Sequence, residues 1–488
     1  MPAGHYPIIY VRGYAMTQSA IDEAVDDPFL GFNLGAVQFR PNIKSRPGQH
    51  YFEGPLVRLM TDHEYRDVYE QGRVGPPDSS RYNPHRTVWI FRYYDESSTH
   101  LSEVPVRLDI EDAATRLYDL IGHVLRVTGA KKVHLVAHSM GGLICRSVIQ
   151  KTFPENRRKP SDVIARFFTY ATPHGGIHFR PGLGVFAAAR DFLGTASADV
   201  FGPDRMYSYL TPGAKRSDRS PPGFDPQRIR NDEYPLEDIF CLVGTNARDY
   251  SVLHGGSSLV IGPDSDGLVQ IDRASIHGAA SAYTHHSHSG RFGIVNSEVG
   301  YRHLEGFLLG TVAVRVLFHY MPSDLDPDRR YYIDVKTARY GDPILFQERT
   351  RAHFCPIPVS AESKDGRHVT EVVATFNLDL PGKSDRALLY AEIAIHAPKV
   401  EKIADKQHQE LNPQSIAGGL PNLTRHFIAR VVGGNDPVIE TENNERIHTL
   451  KIPLGEFSGS SRAAGSLLKG GYLDFECRPS GENSIKAV

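Results

Sequence analysis

Over the first ~320 residues, short apolar runs alternate with segments whose apolar residues recur at steps of three and four. Pro7–Val11 (PIIYV), Val88–Phe91, Val133–Ala137, Arg166–Ala171 and Ile239–Val243 read as buried strands. Between Asp109 and Thr128 the residues Ile110, Ala113, Leu117, Leu120, Ile121, Val124 and Val127 fall on one helical face. Asp109 is the candidate N-cap of that helix, with Asp112 as a weak capping partner and Gly129 as its stop. A second helix is expected from about Met140 to Gln150, and a last one around Ser297–Tyr320. Strands alternating with helices predict a mostly parallel sheet covered by helices, an α/β fold over residues 1–321.

Two stretches interrupt this alternation and read as insertions, at residues ~41–83 and ~180–235. The second includes Gly202–Pro235, rich in Pro, Arg, Asp and Ser, and reads as a cap or lid. Pro322–Arg330 (PSDLDPDRR) cannot continue a helix and reads as a linker over 322–330. Beyond it the period changes to two: Leu389, Ala391, Ile393 and Ile395 alternate with Tyr390, Glu392, Ala394 and His396. Similar runs near Tyr331–Lys336, Ile344–Arg349, Val369–Leu380, Arg425–Val432, Ile447–Leu454 and Tyr472–Cys477 predict an antiparallel β-sandwich over 331–488.

Composition removes several alternatives. A 40% hydrophobic and 23% charged chain with Gly 44 and Pro 33 in 488 residues is an ordinary globular composition, not a disordered or fibrous one. The formal charge of −2 leaves no bulk attraction to nucleic acid or to an anionic membrane. The four cysteines, Cys145, Cys241, Cys355 and Cys477, form no CxxC pair, which argues against a disulfide framework or a zinc ribbon. The beginning MPAGHYPIIYV has neither a basic n-region nor an apolar h-region, and Phe307–Phe318 is too short to span a bilayer. The resulting expectation is a cytoplasmic protein, with secretion of a processed form left open.

The sharpest chemical feature is Val133–Gly142, VHLVAHSMGG, an apolar strand running into Ser139 and then into a helix. A serine at such a turn projects its Oγ above the carboxyl ends of the strands, and the crowded turn requires small residues at Ala137 and Gly141. With PIIYVRGY, HLVAHSMGGLICR, FFTYATPHGG, SYLTPG and DSDGLVQI, the chain resembles the α/β-hydrolase family, in particular lipase-like esterases, over residues ~5–320. No comparable resemblance covers the C-terminal third.

That resemblance implies a serine nucleophile, then an acid, then a histidine in chain order, because an unperturbed hydroxyl needs a base and an orienting carboxylate. Ser139 is the nucleophile. Asp266, in Asp266-Gly267-Leu268-Val269, is the expected acid, with Asp264 and Asp249 as competitors and a solvated Asp-Gly turn as the bland alternative. His288 is the expected base, ahead of Ile294-Val295-Asn296-Ser297, although the intervening Ser-Gly-Arg-Phe-Gly is longer than in relatives. His286 is the alternative base, and His303 is read as structural. The backbone N–H groups of Tyr14 and Met140 are the implied oxyanion donors. Arg12-Gly13 replaces the usual His-Gly, so the hydrogen bonding of that loop must differ from its relatives. His138 is expected to line the site, and Cys145 to be buried filler.

His285-His286-Ser287-His288 offers three histidines to a metal, but neighbours in an extended loop point apart and no zinc-spaced Cys/His partner pair exists in the sequence. No cofactor and no metal are therefore expected. The implied activity is carboxylic-ester hydrolysis through an acyl-enzyme, on a small-molecule or lipid ester with a hydrophobic acyl group. Acyl transfer, amide or thioester cleavage by the same residues, and a non-enzymatic binding role, are the alternatives. Nucleic acid is not an expected partner; peripheral contact with a lipid interface is.

Overall fold

The computed structural model describes residues 5–13, 22, 36–40, 48–52, 54–70, 73–74, 83–100, 108–178, 198–230, 232–249, 261–290, 292–321, 330–342, 344–359, 369–397, 423–441, 443–453 and 472–480. The chain divides into two compact units, one of Gly4–Ser281 with His286–Leu308, the other of Leu309–Val488 with Ala282–His285 and Met1–Ala3.

The first unit carries a mostly parallel sheet. The strands of that sheet are β1 (Ile8–Val11), β2 (Arg66–Asp67), β3 (Thr87–Ile90), β4 (Val133–His138), β5 (Ile164–Tyr170), β6 (Ile239–Gly244) and β7 (Ala280–Thr284), all in the first unit except Ala282–Thr284. They lie in the order β7-β6-β5-β4-β1-β3-β2. Pairings β1–β3, β1–β4, β4–β5, β5–β6 and β2–β3 are all parallel. Every residue of β1, β3, β4 and β6 is buried. A parallel sheet covered on both faces needs apolar residues at successive positions, which is why these strands appear in the sequence as runs rather than alternations.

The helices are α1 (Gly54–Asp62), α2 (Ile110–Thr128), α3 (Met140–Ser147), α4 (Pro203–Leu210) and α5 (Glu298–Leu309). On α2 the buried side chains include Ile110, Ala113, Leu117, Ile121 and Val124 of the predicted face, whereas Leu120 is only partly buried and Val127, in the last turn, is exposed. Gly129 takes φ 67° and its N–H closes on the Leu125 carbonyl, as a left-handed helix stop requires. The Asp109 side chain does not cap the helix; it pairs with Arg216 instead. Helix α3 runs on through a π turn at Val148–Thr152. Gly202–Pro235 is fastened to these helices. Arg205 reaches Glu111 at 2.7 and 3.0 Å, and Lys151 Nζ donates to the carbonyls of Ser208 (2.6 Å) and Ala214 (2.7 Å). Among the described residues no helix is long and apolar enough to cross a membrane.

The predicted helix over Ser297–Tyr320 is corrected. It ends at Leu309, and Val312–Tyr320 is a strand, β8. Val312, Val314, Val316, Phe318 and Tyr320 step by two and bury one face, and both strand edges are paired. Gly310 interrupts the helix, and the β-branched alternation beyond it suits a pleated surface better than a helical one.

The second unit is an antiparallel β-sandwich. One sheet has the order Val369–Leu378, β8, Tyr472–Pro479, Thr449–Pro453. The other runs Leu345–Arg349, Tyr331–Arg339, Arg386–His396, Leu423–Val432, Val438–Glu440, Arg446–Ile447, with Ile357–Val359 also paired to Tyr331–Arg339. Val316, Phe318, Phe376 and Phe475 from the first sheet and Ile333, Leu389, Ile393 and Val431 from the second share one core. The seven predicted strands are all present. The sequence reading missed the three-residue strands at Ile357 and Val438, which are too short to display a period.

Candidate active site

Strand β4 delivers Ser139 to the tip of a tight turn, where it takes φ 52° and ψ −128° immediately before α3. A non-glycine residue in this region is strained, and such strain persists only where the surroundings over-determine it. Here they do. The Ser139 N–H donates to the Tyr170 carbonyl at 2.9 Å, and its carbonyl accepts from Thr172 Oγ1 and the Gly142 N–H, each at 3.0 Å. A Cβ on Gly141 would sit 2.3 Å from the Val11 carbonyl oxygen, and one on Gly142 would sit 2.1 Å from Thr172 Oγ1. The paired glycines thus let α3 lie against β1 and β5.

Ser139 Oγ lies 2.8 Å from His288 Nε2, and His288 Nδ1 lies 2.9 Å from Asp266 Oδ2. All three residues are buried. The carboxylate can only accept, so the proton sits on Nδ1 and leaves Nε2 as an acceptor for the serine hydroxyl. The His288 N–H also donates to the Asp266 carbonyl at 2.8 Å. The other carboxylate oxygen, Oδ1, accepts from the N–H groups of Leu268 (3.0 Å) and Val269 (2.8 Å). The Asp-Gly turn is therefore present, and it is the device that aims the carboxylate: an Asx-turn occupies one oxygen and presents the second to imidazole.

Around the stretch after His288, Ser287 pairs with Phe292 and Ile294. The Ser287 N–H donates to the Phe292 carbonyl at 3.0 Å, and the Ile294 N–H donates to the Ser287 carbonyl at 2.9 Å. His286 is half-buried, and its carbonyl accepts from the Asn246 N–H at 3.1 Å. Asp249 accepts from Asn246 Nδ2 at 2.6 Å, and the Asp264 carbonyl accepts from the Ile271 N–H. His303 is buried beside Phe240, with ring centroids 5.3 Å apart. His285 stacks on His353 at 3.8 Å within the second unit.

Of the two residues expected to supply oxyanion donors, Met140 heads α3, where the helix dipole favours negative charge. Tyr14 lies outside the described residues. The loop leading to it is held by two tyrosines. Tyr93 Oη reaches the Arg12 and Gly13 carbonyls at 3.1 and 2.7 Å, and Tyr94 Oη donates to the Gly13 carbonyl at 2.6 Å. A Cβ on Gly13 would come within 3.0 Å of Ser139 Cβ, so this loop passes directly against Ser139.

Sequence reasoning missed three supporting residues. Tyr93 and Tyr94 follow β3 but act on the loop after β1, a link that no local pattern encodes. Arg146 is fully buried, donates to the His174 carbonyl at 3.0 Å and to Gln150 Oε1 at 3.0 Å, and so ties α3 to the TPHGG segment. Burial pulls its pKa down to about 10, which leaves it charged at neutral pH. Cys145 is buried with its thiol pushed well up by desolvation. Among the described residues no group of three or more His, Cys, Asp or Glu is arranged to hold a metal ion.

Residues 102–188 match the family described as "Putative serine esterase (DUF676)". No curated protein matches the chain. Solved structures similar to it include a Bacillus licheniformis lipase, BlEst2, in propeptide form. It is 12% identical, with 92% of this chain and 97% of that one covered, at a TM-score of 0.31. Phospholipase PlaB from Legionella pneumophila, in complex with thio-NAD, is 11% identical over 83% of this chain and 90% of that one, at 0.32. Lipase B from Aspergillus fumigatus is 10% identical over 62% and 52%, at 0.28. The strand order and the strained serine turn are those of an α/β-hydrolase, and the stretch of chain that carries the turn matches a serine-esterase family.

Proposed function

We propose that this protein is a serine carboxylic-ester hydrolase acting on hydrophobic acyl esters. The observation that carries the reading is the buried chain of contacts from Ser139 Oγ through His288 to Asp266, at 2.8 and 2.9 Å, on a strained turn. Ser139 Oγ attacks the ester carbonyl while His288 Nε2 takes its proton, and Asp266 stabilises the imidazolium that forms. The N–H groups of Met140 and Tyr14 hold the oxyanion. The imidazolium then protonates the departing alcohol, leaving an acyl-enzyme. Water, deprotonated by the same nitrogen, releases the acid and restores Ser139. Gly202–Pro235 shields the acyl chain in this reading. The near-neutral net charge supports selection by the shape and apolarity of the pocket.

The test is labelling with a fluorophosphonate probe, followed by a p-nitrophenyl ester chain-length series on the wild type and Ser139→Ala. Labelling of Ser139 and loss of turnover in the variant are expected. A folded wild type that takes no label at Ser139 sinks the mechanism. A flat chain-length profile removes the apolar acyl pocket and leaves the chemistry.

A further inference from the structure

Ala282–His285 belongs to the second unit, and the chain re-enters the first at His286, two residues before His288. Two side chains of this short stretch meet one turn of the sandwich. The Arg349 guanidinium carbon lies 4.2 Å from the centre of the Tyr283 ring, and the His285 and His353 rings stack at 3.8 Å with 14° between their planes. Tyr283 and His285 stand two apart at the end of β7, so the strand period turns both to one side. Tyr283 is buried, which excludes the water that would compete for the cation. His285 is exposed, so its stack adds little to a core and chiefly fixes where the chain runs.

The turn that meets them is itself fixed. Arg349 Nε donates to the Cys355 carbonyl at 3.0 Å, and the N–H groups of Cys355 and His353 donate to the Thr350 carbonyl at 3.0 and 3.1 Å. Asp334, on the neighbouring strand Tyr331–Arg339, accepts from the Arg351 N–H at 2.9 Å and stands 3.1 Å from His396 Nε2. Phe354 closes the turn in the left-handed region, at φ 57°. A turn tied at this many points presents a rigid surface, as the support of a precise site requires. Downstream, main-chain bonds hold the same stretch: the Asn246 N–H to the His286 carbonyl, and the His288 N–H to the Asp266 carbonyl. The segment carrying His288 is therefore anchored at both ends, and its upstream anchor is part of the sandwich.

We propose that Arg349 and His353 are positioning residues for His288: by holding Tyr283 and His285 they set where the imidazole stands relative to Ser139 Oγ. The inference rests on the reading of Ser139, His288 and Asp266 as a triad, and it gives the sandwich a part in the hydrolysis. Misplacing a base by about an ångström costs on the order of 100-fold in rate, so a loosened upstream anchor is felt in turnover.

The experiment labels full-length protein to completion with the fluorophosphonate probe to count active sites, then measures p-nitrophenyl ester turnover per site. His353→Ala and His285→Ala are each expected to lower kcat roughly tenfold with little change in KM. The double variant should lose no more than either single one, because all three remove one contact. Arg349→Met should lower kcat likewise. His353→Phe, which keeps a flat ring, and Arg349→Lys, which keeps a cation, should recover most of the loss. Ile428→Ser, at an exposed side chain elsewhere in the same sandwich, should leave kcat unchanged. Wild-type kcat per site in the Arg349→Met and His353→Ala variants, with or without a lowered thermal midpoint, overturns the proposal. So do additive losses from His285→Ala and His353→Ala, or an equal loss in Ile428→Ser. A folded wild type that takes no label at Ser139 overturns the triad reading and this inference with it; a labelled wild type with indifferent variants overturns this inference alone.

Discussion

His138 Nε2 lies 3.0 Å from the backbone carbonyl of His288, and the two imidazole rings stand 5.0 Å apart. A carbonyl only accepts, so Nε2 of His138 carries the proton and the ring is a neutral donor. Burial, with the neighbouring His288 ring, pushes the His138 pKa down to about 3 and keeps it neutral. The residue before the proposed nucleophile therefore holds the main chain of the proposed base without placing a charge beside it.

Removing that donor should misplace the base rather than the substrate. His138→Leu is expected to lower kcat on a p-nitrophenyl ester roughly 10- to 100-fold with little change in KM. His138→Gln, which keeps an N–H donor, should recover part of the loss. A His138→Leu enzyme with wild-type kcat would reduce the contact to packing.

Among the members of the proposed triad, Asp266→Asn is expected to cost about 10⁴-fold in kcat, because the amide favours the wrong imidazole tautomer. His288→Ala should abolish burst kinetics. His286→Ala should stay within severalfold of wild type; a larger loss there than in His288→Ala would reassign the base.

The glycine pair after Met140 makes a stability prediction. In Gly142→Ala the new methyl meets Thr172 Oγ1 at 2.1 Å, so Thr172 or the helix must shift. A loss of about 1–3 kcal/mol is expected from such overpacking, read as a lowered urea midpoint at constant m-value. Thr172 also bonds the Ser139 carbonyl, so turnover should fall with stability.

Three fully buried histidines set the acid side of stability. Desolvation lowers the pKa of His134 and His174 well below 6.5, and that of His138 to about 3. The unfolded chain takes up protons that the folded one refuses, so stability is full above pH 6.5 and falls as pH drops toward the folded values. His138 alone should cost about 2 kcal/mol by pH 5. Urea midpoints at pH 8 and pH 5 test this: His138→Gln should narrow the gap, and equal midpoints in the wild type would contradict it.

All four cysteines are free and buried. Desolvation raises the thiol pKa values to about 11 for Cys241 and about 12 for Cys355 and Cys477, and further for Cys145. Ellman's reagent at pH 8 should find no fast-reacting thiol in native protein and four after guanidinium denaturation. A rapid native thiol would mean that one of these sites opens.

What the chain declares by itself is what neighbouring residues decide. Apolar runs at Ile8, Val88, Val133 and Ile239 announce strands of a covered parallel sheet, because burial on both faces leaves no polar alternation. Ser139 is legible because strand, small residue, serine and paired glycine are contiguous, and the steric demand of the turn falls on those same positions. The helix ending at Leu309 and the strand beginning at Val312 were not separable, since two apolar segments joined through Gly310-Thr311 present one long apolar stretch. Only the tertiary structure brought the His288 ring to Ser139 Oγ and to Asp266 Oδ2, across 149 and 22 residues of chain. The hold of Tyr93 and Tyr94 on Gly13, and of His138 on His288, was equally invisible. The physical reason is one of range. Periodicity and turn sterics act over a few residues, whereas a hydrogen bond between distant segments exists only after the sheet has brought their loops to one edge.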